Sequence, residues 1–339
     1  MAALTGRLQS LLMVSVEDYI RNAVPIASGA VASKTEIAKS SATIRNDLKT
    51  LEQMGYLRQV HTSGGRVPTT TGYRAYVDKI LGEMNIKHGE LSFASEVVSG
   101  RIQSLPNVID ELTKKVASTF NFPVVVKTKF DKLAIVDVMI VPLVEGNTMV
   151  LIKTNAGSLN ATVNTEVPLT DQQALDASAA LCTKVRGLTL KEMFDSLPKI
   201  AMGIKKDLTF FDTLCKGIGS QIEKFIAGNI TRSLDTIKLL EIPDYNGIEK
   251  IRKISKAVGN DAAMNKVLDV DDSIVIGAEV DDAVLGDSSI VKFNYNIGGE
   301  NIASIGLIGP DRIDYKQLIT ALYALLSQTK EQRLIKGGK

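Results

Sequence analysis

The chain has 339 residues, more than one ordinary domain folds around a single core, and so predicts two or three domains. Its 45% apolar and 23% charged residues exclude a disordered chain, and its most apolar run, Leu133–Val144, is broken by Asp137 and Pro142 and is too short to cross a bilayer. The net charge of +2 is unevenly spread: residues 1–80 carry ten Lys/Arg against six Asp/Glu, which leaves thirty against thirty-two in the remainder. A basic head on a faintly acidic body suits a phosphate partner for the head. Two cysteines, Cys182 and Cys215, make no disulfide framework, and no signal-peptide pattern is visible, so a cytoplasmic protein with no membrane association is expected.

Leu8, Leu11, Leu12, Val16, Tyr19 and Ile20 recur at helical spacing and predict a first helix from about Thr5 to Arg21, which Pro25 keeps from running on. A short second helix is expected over Ser28–Lys34 with Ser28 as its cap. A third starts at Ser40 or Ser41 and stops at Gly55, a good C-terminal glycine. Two short strands follow, Tyr56–Val60 and Arg66–Thr69, joined by the turn His61-Thr62-Ser63-Gly64-Gly65. Three helices and a hairpin make a winged helix-turn-helix over residues 1–80, followed by a linker with some helix over 81–100.

Beyond it, a helix is expected from Pro106 to Thr119, then strands at Val124–Thr128, Leu133–Pro142, Thr148–Thr154 and Ser158–Val167, then a helix from Thr170 to Val185. Residues 188–267 read as mostly helical, at Leu190–Leu197, Lys205–Ile218 and Tyr245–Val258, with a strand at Ile222–Ile226. Strand patterns return at Ser273–Glu279, Ser289–Asn296 and Ile302–Ile308, and a last helix covers Tyr315–Ser327. The order predicts an α+β sheet domain, 101–187 and 268–330, interrupted by a mainly helical insertion, 188–267.

On the third helix Ile44, Leu48 and Leu51 share the buried side, which leaves Ala42, Asn46, Lys49 and Gln53 opposite, flanked by Thr43 and Arg45. A major groove uses such a stripe: Arg reads guanine, Asn reads adenine, and Ala or Thr meets the thymine methyl. The first turn carries no acid and keeps its N–H groups free for a phosphate. Arg45 and Asn46 are the candidate base contacts, with Ser41, Thr43 and Lys49 on phosphates and Ser40 and Ala42 completing the candidate DNA-binding residues of this helix. The turn offers hydroxyls at Thr62 and Ser63, close backbone approach at Gly64 and Gly65, and a minor-groove cation at Arg66 or His61, with Arg58 either on the DNA backbone or solvated. Gly72, Tyr73, Tyr76 and Val77 are expected to pack the hairpin against the first helix.

No phosphate loop, nucleophile–base pair or zinc spacing can be written, so neither an enzyme nor a cofactor is expected. His88 reads as solvated, the cysteines as small apolar residues, and Gly306–Tyr315 as a strand-to-helix turn with a local Arg312–Asp314 pair. A ligand-sensing regulator with a pocket among the strands at 133–167 and 273–308 remains an open alternative.

The stretches VEDYIR (Val16–Arg21), SSATIRNDLKTLEQMGYL (Ser40–Leu57), HTSGGRVPTTTGYRAYVD (His61–Asp78), SIVIGAE (Ser273–Glu279) and IGLIGPDRIDY (Ile305–Tyr315) resemble the heat-inducible transcription repressor family HrcA, in the family's order along nearly the whole chain. That resemblance implies a winged helix followed by a GAF-like domain, split by an inserted dimerising domain. It also implies a homodimer on an inverted-repeat DNA operator, the CIRCE element, ahead of chaperone operons, with the chaperonin as a further partner that keeps the repressor active until heat-damaged protein occupies it.

Overall fold

The computed structural model describes residues 4, 6–32, 40–60, 65–86, 91–95, 104–165, 167–204, 210–227, 230–233, 239–245, 247–279, 285–286 and 288–324. Helices and sheets mix in an α+β fold, and the described residues divide into two compact units. One draws on Met1–Leu91, Asp235–Lys292 and Leu307–Lys339; the other on Ser92–Leu234 and Phe293–Gly306.

The first unit opens with α1 (Gly6–Asn22), α2 (Ser28–Ala32) and α3 (Ser41–Gln53), then β1 (Leu57–Gln59) and β2 (Arg66–Pro68), then α4 (Thr70–Glu83). The apolar spacing in α1 buries Leu11, Leu12, Val16 and Ile20 against the side of α3 that carries Ile44, Leu48 and Leu51. Gly55, at a φ of +82°, reverses the chain after α3 where a side chain would be strained. β1 and β2 pair antiparallel, Leu57 opposite Pro68 and Gln59 opposite Arg66. Ile26 adds a bridge on the far edge, exchanging bonds of 2.7 and 3.0 Å with Arg66.

Thr69 caps α4. Its Oγ1 accepts from the Gly72 amide at 3.2 Å and donates to the Gly55 carbonyl at 2.6 Å, which ties the helix start to the turn before the hairpin. Thr69→Ala is expected to destabilise this unit by about 1–2 kcal/mol in urea unfolding. An unchanged midpoint would show that the cap contributes nothing.

The same unit holds a 3-10 turn (Pro243–Tyr245), α9 (Ile248–Val258), α10 (Asp261–Leu268) and β9 (Ile274–Ile276), with β9 antiparallel to the Ser289–Val291 portion of β10 (Ser288–Ile297). Its last helix, α11, covers 315–324 and is capped by Asp314, whose Oδ1 accepts from the Gln317 amide at 2.9 Å. The expected Arg312–Asp314 pair does not form. Arg312 donates instead to Asp244 at 2.5 Å and to the Ile20 carbonyl at 3.1 Å, because the fold brings those acceptors to it and the capping amide takes Asp314. Arg74 of α4 is held similarly, by Glu279 and by the Ile274 carbonyl.

In the second unit the remaining stretch of β10, β11 (Glu300–Pro310) up to Gly306, β3 (Ser92–Ser95), β4 (Val124–Thr128) and β8 (Ile230–Ser233) form a sheet in the order β3-β10-β11-β4-β8. β10 and β11 are buried along almost their whole length, as strands covered on both faces are. α5 (Leu105–Phe120) packs on β4 through a stripe that includes Ile109, Leu112 and Val116. A separate antiparallel sheet, β5 (Ile135–Pro142), β6 (Asn147–Thr154) and β7 (Ser158–Asn164), carries α6 (Asp171–Val185) on β5 and α8 (Phe211–Ile226) on β7, with α7 (Leu190–Ile204) beside α8.

The strand expected at Ile222–Ile226 is helical. Phe211, Leu214, Ile218 and Ile222 continue one buried stripe at helical spacing, and this packing outweighs the strand preference of Ile222 and Ile226. A strand follows at Ile230 instead.

Candidate nucleic-acid interface

α3 begins with Ser40 as its cap. The Ser40 hydroxyl accepts from the Thr43 amide at 3.4 Å and lies 3.1 Å from the Thr43 hydroxyl. Its first turn carries no acid. Ser40, Ser41, Ala42, Arg45, Asn46 and Lys49 are exposed and Thr43 is half-buried, while Ile44, Asp47, Leu48 and Leu51 face inward. Among the described residues Arg45 and Lys49 make no ion pair and the Asn46 side chain makes no hydrogen bond. A cation with no internal partner remains available to a phosphate or a guanine edge.

Two ion pairs fix this face. Asp47, 7% exposed, accepts from Arg7 of α1 at 2.8 Å. Glu52 accepts from Arg66 Nε at 2.9 Å, which pins the last turn of α3 to β2. Arg66 therefore sits at the base of the hairpin with 16% of its side chain exposed. Arg58 is exposed on β1. Gly65 lies where an added Cβ would come within 2.7 Å of the Pro25 carbonyl group, so the chain beside the turn tolerates no side chain there. His61, Thr62, Ser63 and Gly64 lie outside the described residues.

Gly72, Tyr73, Tyr76 and Val77 are buried, as packing residues of α4 should be. Burial pushes the Tyr73 and Tyr76 hydroxyls well above the ordinary tyrosine range, and nearby acids push the same way, so both stay neutral. The Tyr76 hydroxyl donates to Glu17 of α1 at 3.4 Å. Cys215, buried on α8, has its thiol pushed up to about 12 by desolvation and is chemically quiet. Among the described residues no group of three His, Cys, Asp or Glu is placed to hold a metal ion, and no helix is long and apolar enough to cross a membrane.

Sequence reasoning passed over Arg7, Asp47 and Glu52, which position α3 without facing outward. The signal for Asp47 was present: an acid one residue before Leu48 falls on the buried side of the helix and needs a cation.

The family model for the HrcA protein C-terminal domain matches residues 106–319, well over half of the chain. The chain belongs to the HrcA family. The protein called heat-inducible transcription repressor HrcA in Caldanaerobacter subterraneus subsp. tengcongensis is 30% identical, the match covering 94% of this chain and 94% of that one. The HrcA of Acetivibrio thermocellus, with the same name, is 28% identical over 98% of this chain and 97% of its own length. A crystal structure described as that of a hypothetical protein shares the fold, with a TM-score of 0.64 and 24% identity over 97% of this chain and 98% of the other. The HrcA model starts after α4, so α3 and the hairpin lie outside its span, but both full-length HrcA relatives align across nearly the whole chain.

Proposed function

We propose that the chain represses heat-shock chaperone operons as a dimer bound to an inverted-repeat operator of the CIRCE type. In this reading α1–α4 and the β1–β2 hairpin are a winged helix-turn-helix, and the rest of the chain supplies a GAF-like part with an inserted dimerising part. The observation that carries it is the outward face of α3: Arg45, Asn46 and Lys49 are exposed and, among the described residues, internally unengaged, behind an acid-free first turn. Two heads in one dimer add their energies and read two half-sites at a spacing set by protein symmetry, which one weakly binding head cannot do.

Arg45 and Asn46 are assigned to bases, and Ser41, Thr43 and Lys49 to phosphates. Lys49→Ala should weaken binding to every DNA sequence alike and lower the salt slope by about one unit per half-site, or about two for the dimer. Fluorescence anisotropy between 50 and 200 mM salt, the range in which several phosphate contacts change affinity most, reads this directly. An unchanged slope removes the phosphate assignment.

Release by heat is assigned to loss of the dimer or of inter-head geometry, with a chaperonin as the restoring partner. Mild heating should lower operator affinity, and added chaperonin with its nucleotide should restore it. Protein that keeps full affinity after heating, and gains nothing from the chaperonin, contradicts this part.

A further inference from the structure

A cleft in the first unit, of about 490 Å³, is lined by α1, the hairpin, the 3-10 turn and α9. That size suits a small molecule. Arg58, Lys250, Lys253 and Arg312 line it against the carboxylates of Asp244 and Asp311, an excess of two positive charges. Arg312 is consumed by Asp244 at 2.5 Å. Among the described residues Lys250 reaches a backbone carbonyl, that of Asp244 at 3.2 Å, and pairs with no carboxylate. Among the described residues Arg58 and Lys253 have no partner, and both are exposed. The cations converge from two directions, Arg58 from β1 and the two lysines from α9. Lys250 and Lys253 are one turn apart and border the buried face that holds Ile254, so they face the cleft, whereas Arg252 and Lys256 lie round the other side.

Three tyrosines also line the cleft, Tyr19 half-buried and Tyr73 and Tyr245 reaching it only by an edge at 4% and 3% exposure, with Val67, Pro68, Pro243, Ile254 and Pro310 beside them. The Tyr245 hydroxyl lies 3.5 Å from Ser288 Oγ, a second polar group at the wall. Tyrosines take a flat ring, and clustered cations take a dianionic phosphate by charge-assisted hydrogen bonds.

We propose that this cleft binds a nucleoside monophosphate, with the phosphate on Arg58, Lys250 and Lys253 and the base among the tyrosines. The site shares Arg58 with the candidate DNA-binding residues, and its other residues lie outside that set.

The test is calorimetric titration of the full chain with AMP, GMP, CMP and UMP, with adenosine, guanosine and inorganic phosphate as comparisons. At least one nucleotide should bind saturably, one per chain, in the sub-millimolar range, and its nucleoside and phosphate alone about tenfold or more weaker. Lys253→Glu should weaken the nucleotide about tenfold and leave operator affinity without nucleotide unchanged. The proposal is overturned if no nucleotide saturates, if the nucleoside binds as well as the nucleotide, or if Lys253→Glu leaves nucleotide affinity intact. It is also overturned if Lys253→Glu weakens operator binding in the absence of nucleotide, because the lysine would then be a DNA contact.

Discussion

Arg45→Ala is expected to weaken operator binding by about 1–3 kcal/mol per half-site, roughly five- to 150-fold for each half-site, and to relax discrimination at one base pair of each half-site. The size follows from what a bidentate guanidinium contact supplies and from what the side chain does in the free protein. Arg45 is exposed on α3, has no ion pair among the described residues, and is not one of the groups that hold the helix in place. Those are Ile44, Leu48 and Leu51 in the core, with Asp47 on Arg7 and Glu52 on Arg66. Removing Arg45 therefore costs contacts to DNA and little stability. Its profile differs from that of Lys49→Ala, which should act on all sequences alike. Anisotropy titrations on operator and on operators substituted one base pair at a time separate the two. Equal affinity of wild type and Arg45→Ala removes Arg45 from the contact surface.

Arg74→Ala should destabilise the first unit by about 2–3 kcal/mol. Arg74 Nε donates to Glu279 Oε1 at 2.8 Å and Nη2 donates to the Ile274 carbonyl at 2.5 Å, with a second, shorter contact to Glu279 Oε2. The Arg74 side chain is 17% exposed and that of Glu279 31%. Among the described residues, truncation leaves the Glu279 carboxylate with the Ile276 amide at 2.9 Å as its remaining hydrogen bond and strands the Ile274 carbonyl. Breaking one side of a fully buried pair costs about 3–5 kcal/mol, and the partial exposure of Glu279 lowers that figure. Arg74→Lys should recover only part of the loss, since an ammonium cannot reproduce the forked geometry. Urea unfolding followed by circular dichroism measures both variants. A midpoint for Arg74→Ala equal to wild type would show that the pair only breaks even against its desolvation.

The elements legible in the sequence were those whose local signals agree. α3 was readable because Ile44, Leu48 and Leu51 keep one period, Ser40 caps it and Gly55 ends it, and all three signals mark the same 13 residues. The hairpin was readable from its paired glycines between two short apolar stretches. The α8 region was misread because Ile222 and Ile226 satisfy a strand pattern and a helix pattern alike, and only the stripe reaching back to Phe211 decides between them. Contacts distant in sequence left no local trace. Arg312 has an acid two residues away and pairs with one 68 residues away. Arg74 meets Glu279 across 205 residues. The outward residues of α3 were legible for the same reason as the helix, because a buried stripe at fixed period defines its own opposite face. The residues that steady this face, Arg7, Asp47 and Glu52, depend on the relation between α1, α3 and β2, which periodicity alone does not contain.

The most direct measurement is a nuclease footprint of the purified chain on the DNA upstream of its own gene. The account predicts two protected half-sites related by a dyad, occupied together at one protein concentration, with Arg45→Ala abolishing both at that concentration. No protected region, or a single half-site filled by a monomer, would contradict it.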